Sequence, residues 1–249
     1  MTSEALTAST ITMTGHGGDE IEAYLAVPDD GAAARGSVVV IHHMPGYDTS
    51  TKEIVRKFAA NGYAALMPNL YYREAPGASP DDAAATVRAN GGVPDDRLVG
   101  DVAGAAGQLR ALAGSNGKVG VIGYCSGGRQ SFLAACSLDL DAAVDCYGAF
   151  IVSPVPEGLP LKAEPIVGLA KDLSGPLLGL FGAEDKNPMP EETAELSAVL
   201  DGLGKSHEFH TYEGTGHSFF SVDRVAYRPE AANDGWQKIW DFYGRYLAR

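Results

Sequence analysis

Val119-Gly120-Val121-Ile122-Gly123-Tyr124-Cys125-Ser126-Gly127-Gly128 is the stretch that decides the fold. An apolar run enters a glycine-flanked turn, and a segment of helical character leaves it. A strand that turns sharply into a helix needs small residues on both sides of the turn. The glycines let strand and helix approach closely and expose the side chain at the tip. This is the pattern G-x-nucleophile-x-G, with Cys125 at the position where most such proteins carry Ser. Ser126 is not the tip residue, because the position two before it is Tyr124 rather than Gly. A buried cysteine in a tight turn fits the same six residues, so the rest of the chain has to decide.

Working outward, Phe181-Gly182-Ala183-Glu184-Asp185 follows a second apolar run, Leu177-Leu178-Gly179-Leu180. Gly214-Thr215-Gly216-His217-Ser218-Phe219 follows a third extended segment, His207 to Tyr212. The order nucleophile, acid, histidine is that of α/β-hydrolases and differs from the chymotrypsin-like and subtilisin-like orders. Each candidate lies just past the C-terminal end of an expected strand, where open α/β sheets bind ligands. A lone Asp in a loop is usually a cap and a lone His is usually structural, but three matches in order favour the joint reading of Cys125, Asp185 and His217.

The chain resembles the dienelactone hydrolase family from about Ile21 onward. The resemblance is carried by Gly123 to Gly128, the Asp185 loop, Gly216-His217-Ser218-Phe219 and Asn69-Leu70-Tyr71-Tyr72-Arg73-Glu74-Ala75-Pro76-Gly77. It implies one α/β-hydrolase domain, a monomer or weak homodimer, with a Cys-His-Asp triad acting on lactones or esters. The family has a glutamate that interacts with the resting cysteine; His43 stands at that position here and is expected to donate to the Cys125 thiolate. Alternatively, His42 or His43 only braces its loop. The family holds a substrate carboxylate with two arginines. One position matches Arg88, and the other carries Ser221. A single arginine is a weaker fork than a pair, so the expectation is a neutral, aromatic-tolerant lactone or ester. Tyr71, Tyr72 and Phe219 are candidate walls of an aromatic acyl pocket, although each fits wall packing equally well.

In the expected chemistry Cys125 attacks as thiolate, favoured by a helix N-terminus and an adjacent imidazolium. His217 moves the proton, and Asp185 holds its tautomer. The tetrahedral oxyanion needs two donors: the backbone N–H of Ser126, and one from the loop after the Ser37–Ile41 strand, assigned to Met44.

Composition narrows the alternatives. A chain of 249 residues fits one large α/β domain. A net charge of −13 argues against partners such as nucleic acid or an anionic membrane. Three cysteines, Cys125, Cys136 and Cys146, are no disulfide framework and suggest a reducing, cytoplasmic setting. Met1 to Thr10 reads as no signal peptide, and no apolar run reaches membrane-spanning length. No metal-ligand spacing or cofactor motif is evident. A broad aryl-ester or thioester hydrolase, or a non-catalytic ligand-binding protein on the same scaffold, remain alternatives.

The expected architecture is a mainly parallel sheet with an antiparallel N-terminal hairpin, helices on both faces and a small partial cap. Residues 1–9 are expected to be loose and 10–249 to form the single domain. The hairpin is Thr10 to Thr14 and Ile21 to Val27, and Ser37 to Ile41 reads as a strand buried on both faces. Ser50-x-x-Glu53 reads as a capping box opening a helix. Tyr71 to Gly92 reads as the cap, with a short helix begun at Ser79 and stopped at Asn90-Gly91. Asp96 to Ala113 and Glu191 to Leu203 read as helices. Pro154 to Leu173 reads as a surface excursion. Trp236, Ile239, Trp240, Tyr243 and Leu247 mark a closing amphipathic helix.

Overall fold

The computed structural model describes residues 5–29 and 35–248. β-Branched and apolar runs supply an eight-stranded sheet in the order β1-β2-β4-β3-β5-β6-β7-β8. The strands are β1 (Leu6–Thr14), β2 (Glu20–Pro28), β3 (Ser37–Ile41), β4 (Ala64–Pro68), β5 (Val119–Tyr124), β6 (Ala142–Cys146), β7 (Leu177–Gly182) and β8 (His207–Tyr212). β1 and β2 form an antiparallel hairpin, and β2 pairs antiparallel with β4. All remaining pairs are parallel.

The pleat sorts side chains to two cores. Val39 and Ile41 of β3 join one, while Val38 and Val40 join the other. The first core packs under α3 (Asp95–Arg110), α4 (Ser126–Ser137) and α5 (Pro190–Gly202), through residues such as Leu98, Val102, Phe132 and Leu196. The second packs under α1 (Thr49–Ala60) and α6 (Pro229–Tyr246), through Val55, Phe58, Ile239, Phe242 and Tyr243. With both faces covered, β3, β4, β5, β6 and β7 are buried along their whole length. A short helix α2 (Pro80–Ala89), capped by Ser79 accepting from Asp82 N–H, lies over the C-terminal ends of the strands.

Three expectations need correction. β1 reaches back to Leu6, so residues 6–9 are strand rather than loose; residues 1–4 lie outside the described residues. Leu6 and Ala8 pack on the α1/α6 core while pairing with Pro28 and Ala26, which extends the hairpin. Helix α1 is capped by Asp48, not by a Ser50–Glu53 box. The Asp48 carboxylate accepts from Thr51 N–H at 2.7 Å and Thr51 Oγ1 at 2.8 Å. A carboxylate also suits the positive end of the helix dipole. The Pro154–Leu173 stretch is no mere excursion. Lys162 N–H donates to Gly91 O at 2.8 Å, and this bond folds Leu161–Ala163 across the strand ends as a roof.

Candidate active site

The turn after β5 is as tight as its glycines require. A Cβ on Gly123 would lie 1.8 Å from Gly127 O, and one on Gly127 would lie 2.7 Å from Ile41 O. Only glycines at both places let β5, α4 and β3 converge. Cys125 sits between them at φ 57 and ψ −120, a left-handed conformation rare for a side-chain-bearing residue. Its N–H donates to Cys146 O at 3.0 Å, and its carbonyl accepts from Gly128 N–H at 2.9 Å as the first turn of α4. The thiol therefore stands at the helix N-terminus, where the dipole favours negative charge. Cys125 is part-exposed, whereas Cys136 and Cys146 are buried. Burial, with Asp172 nearby, pushes the Cys136 thiol up to about 12, and burial raises Cys146 too.

The acid and the histidine meet from the two neighbouring strand ends. Ala183 N–H donates to Tyr212 O and Glu184 N–H to Thr215 O, each at 2.9 Å, so the loops after β7 and β8 move as one. Asp185 is buried. One of its oxygens accepts from Asn187 N–H at 2.9 Å, and the other accepts from His217 Nδ1 at 2.8 Å. A carboxylate cannot donate, so Nδ1 carries the proton and Nε2 is left toward Cys125. Burial works against a charge on His217. The hydrogen bonds to Asp185 and Cys125, and the charges on both, outweigh it and lift its pKa to about 10. The ring is braced from below by Tyr147, edge-on at 5.0 Å.

Two concavities flank His217. The first, about 480 Å³, holds Cys125, Ser126, Met44, Tyr71 and Asp185 and is roofed by Gly91–Val93, Phe150 and Leu161–Ala163. The second, about 450 Å³, is polar and is lined by His43, Asp81, Arg88, Ser221 and Arg224 as well as His217. Ser126 opens α4, so its N–H belongs to the helix-start donors that have no partner within the helix. Met44 follows β3, which pairs Ile41 with Gly123. That register brings the Met44 loop beside the turn.

The remaining expected residues divide. Tyr71 is buried, lines the first cavity and packs edge-on to His42 at 4.6 Å. Burial raises its phenol pKa, and the charge of Cys125 adds to this, so it remains a donor. Arg88 lies on α2 and donates from Nε to Met44 Sδ at 3.2 Å, which ties the cap to the Met44 loop. Tyr72 is a correction: it lines neither concavity beside His217 and packs against the α3/α4/α5 core instead of walling an acyl pocket. Phe219 is another: it is fully buried against Tyr147, Tyr212 and Phe220 beneath the histidine. His43 does not line the Cys125 cavity. Its Nε2 is bound to Asp48 Oδ2 at 2.7 Å, and it lines the arginine hollow instead. His42 is the brace: Leu70 N–H donates to its Nε2 at 3.2 Å, and its Nδ1–H donates to His43 O at 2.9 Å. Burial drives its pKa down to about 4, so the ring stays neutral.

Sequence reading named Arg224 only as a fallback cation and did not place it in one hollow with Arg88, and it missed the roof. It also missed Arg129, which forks Asp95 at 2.8 and 2.9 Å and donates to Glu164 O at 2.9 Å and Phe150 O at 3.3 Å. The one local signal was a buried-side arginine next to the Gly127-Gly128 pair; its partners are too distant in sequence to predict.

A strained, glycine-flanked cysteine turn, followed in chain order by a carboxylate and a histidine on a sheet of this topology, defines an α/β-hydrolase. The profile of the dienelactone hydrolase family matches residues 21–247. The chain belongs to that family and is a hydrolase of the carboxylic-ester class. It is 32% identical over 233 residues to a Yersinia pestis protein named "Putative carboxymethylenebutenolidase", covering 92% of this chain and 85% of that one. An Escherichia coli K12 protein of the same name is 32% identical over 235 residues, covering 92% and 84%. The crystal structure of a "putative dienelactone hydrolase" from Klebsiella pneumoniae superposes with a TM-score of 0.84 at 28% identity, covering 98% of this chain and all of that one.

Proposed function

We propose that Cys125, His217 and Asp185 form the catalytic triad of a lactone or small-ester hydrolase that works through an acyl-cysteine. The observation that carries this reading is the His217–Asp185 bond at 2.8 Å facing a thiol held at a left-handed turn. The raised His217 pKa favours an imidazolium beside Cys125 at neutral pH. The thiolate attacks the acyl carbonyl, and the oxyanion is received by the N–H groups of Ser126 and Met44. Collapse breaks the C–O bond, and His217 Nε2 gives its proton to the leaving oxygen. Water then attacks the acyl-cysteine, with neutral His217 taking its proton. The carboxylic acid leaves, and the thiolate–imidazolium pair is restored.

The hollow also revises the substrate. Arg224 and Arg88 line the same polar hollow as His217, and among the described residues neither is in a salt bridge. The second arm expected to be absent at Ser221 is thus supplied a few residues later. A carboxylate-bearing lactone or ester, as in the name carboxymethylenebutenolidase carried by relatives, fits this pair better than a neutral one.

The test uses a carboxylate-bearing lactone and its methyl ester. Cys125→Ala lowers turnover by about three orders of magnitude or more, and wild type quenched in mid-turnover shows acyl mass on the Cys125 peptide. Arg88→Ala and Arg224→Ala each lower kcat/KM for the free acid by about tenfold or more while sparing the methyl ester. Acyl mass on another residue sinks the triad; equal loss for both substrates sinks the arginine reading alone.

A further inference from the structure

A third hollow lies behind the active site, on the α1/α6 side of the sheet. It measures about 180 Å³ and is walled by Ile54, Tyr124, Tyr147, Phe220 and Trp236, with Lys57 at its edge. A cavity of about 150 Å³ accepts one benzene ring. The aromatic walls present both ring edges and ring faces: Phe220 lies edge-on to Tyr124 at 5.6 Å and to Trp236 at 5.6 Å. Two polar features of the lining are unspent. The buried Tyr124 hydroxyl has no hydrogen-bond partner among the described residues. The Lys57 ammonium lies 3.9 Å over the Trp236 ring and, among the described residues, pairs with no carboxylate. The charges beside it are already committed, Glu53 to Arg56 and His43 to Asp48.

We propose that this hollow is a second small-molecule site, and that it takes a one-ring aromatic carboxylate with the ring among Tyr124, Tyr147, Phe220 and Trp236 and the carboxylate on Lys57. An aromatic ring matches the volume and the walls, and an anion matches the one uncompensated charge. Burial lowers the Lys57 pKa, so a bound carboxylate would also relieve the cost of its desolvation. Occupancy would be felt by the active site through Tyr147, whose ring lines the hollow and also packs on His217. That coupling rests on His217 being catalytic; the binding does not.

Calorimetric titration of the full-length protein with sodium benzoate tests the site directly. Wild type and Cys125→Ala should both bind at one saturable site. Lys57→Met should weaken binding by about tenfold or more, and Ile54→Trp, which fills the hollow, should abolish it. Benzyl alcohol, lacking the charge, should bind wild type and Lys57→Met alike. The proposal is overturned by an unsaturable wild-type isotherm, or by binding unchanged in both Lys57→Met and Ile54→Trp. It is equally overturned if Arg88→Met or Arg224→Met abolishes binding while Lys57→Met retains it, since the ligand then occupies the arginine hollow. Failure of the acyl-cysteine reading leaves these binding outcomes untouched.

Discussion

Asp145, the penultimate residue of β6, is wholly buried, with one carboxylate oxygen accepting from Gly148 N–H at 2.7 Å and the other without a partner among the described residues. Burial pushes its pKa up to about 7, against smaller opposing effects of that N–H and of the His217 charge. An acid whose folded pKa lies above its unfolded value destabilises the fold once the unfolded chain ionises. The loss therefore grows from about pH 4 to about pH 7 and then levels, at on the order of 4 kcal/mol. Asp145→Asn keeps the Gly148 bond and removes the charge. It should match wild type in Tm at pH 4 and exceed it at pH 8; parallel Tm–pH curves would refute the assignment. Nothing in the sequence marks Asp145, because its environment is made by neighbouring strands and by Gly148. Cys125, Asp185 and His217 were legible for the opposite reason. Each lies within three residues of a glycine in a loop that follows a strand, and strand ends can be read from local pattern. His42 and His43 were not separable, since their roles depend on Leu70 and on the helix cap at Asp48.

Among the elements, α4 does more than seat the Cys125 turn. Through Arg129 it grips Asp95 at the start of α3, Phe150 after β6 and Glu164 directly after the roof segment. The guanidinium is 6% exposed, so its bonds are little screened, while Asp95 is 42% exposed and can rehydrate. Arg129→Met should therefore loosen the roof without stranding a buried charge. KM for esters of long acyl groups should rise about tenfold or more, as expected for losing a charge-assisted bond, with acetyl esters little affected. Equal changes for long and short acyl groups would place Arg129 outside acyl recognition. Helix α2 and the two glycines after it were readable from Ser79, Pro80 and Asn90. The roof was not, because its position is set by one bond between residues distant in sequence.

At the scale of the molecule, stability and chemistry occupy different ends. The α1/α6 core packs Phe58 against Tyr63, Trp236, Trp240 and Tyr243, with ring centroids between 5.2 and 6.2 Å apart. Tyr243 then donates to Val121 O in β5 at 2.8 Å, which clamps the last helix to the central strand. Phe58→Ala should cost about 3–5 kcal/mol in urea unfolding while leaving kcat of the folded enzyme within about twofold, since Phe58 lines neither concavity beside His217. A large fall in kcat at low temperature would show the two ends to be coupled. The sandwich of sheet and helices was legible throughout, because two-faced burial writes itself into continuous apolar strands and a striped closing helix. Among the described residues no helix is long and apolar enough to cross a membrane.

The bond from Lys162 N–H to Gly91 O joins two main-chain groups, so it is indifferent to which side chains flank it. Leu161 and Ala163 can therefore vary in descent without unfastening the roof, while Gly91, at φ 99 and packed under the Lys162 side chain, is the less replaceable partner. Selection is thus offered a hinge of fixed anchorage and free content. Lineages sharing this turn can diverge in the acids they release by rewriting a few loop residues, with Cys125 and its helix left intact.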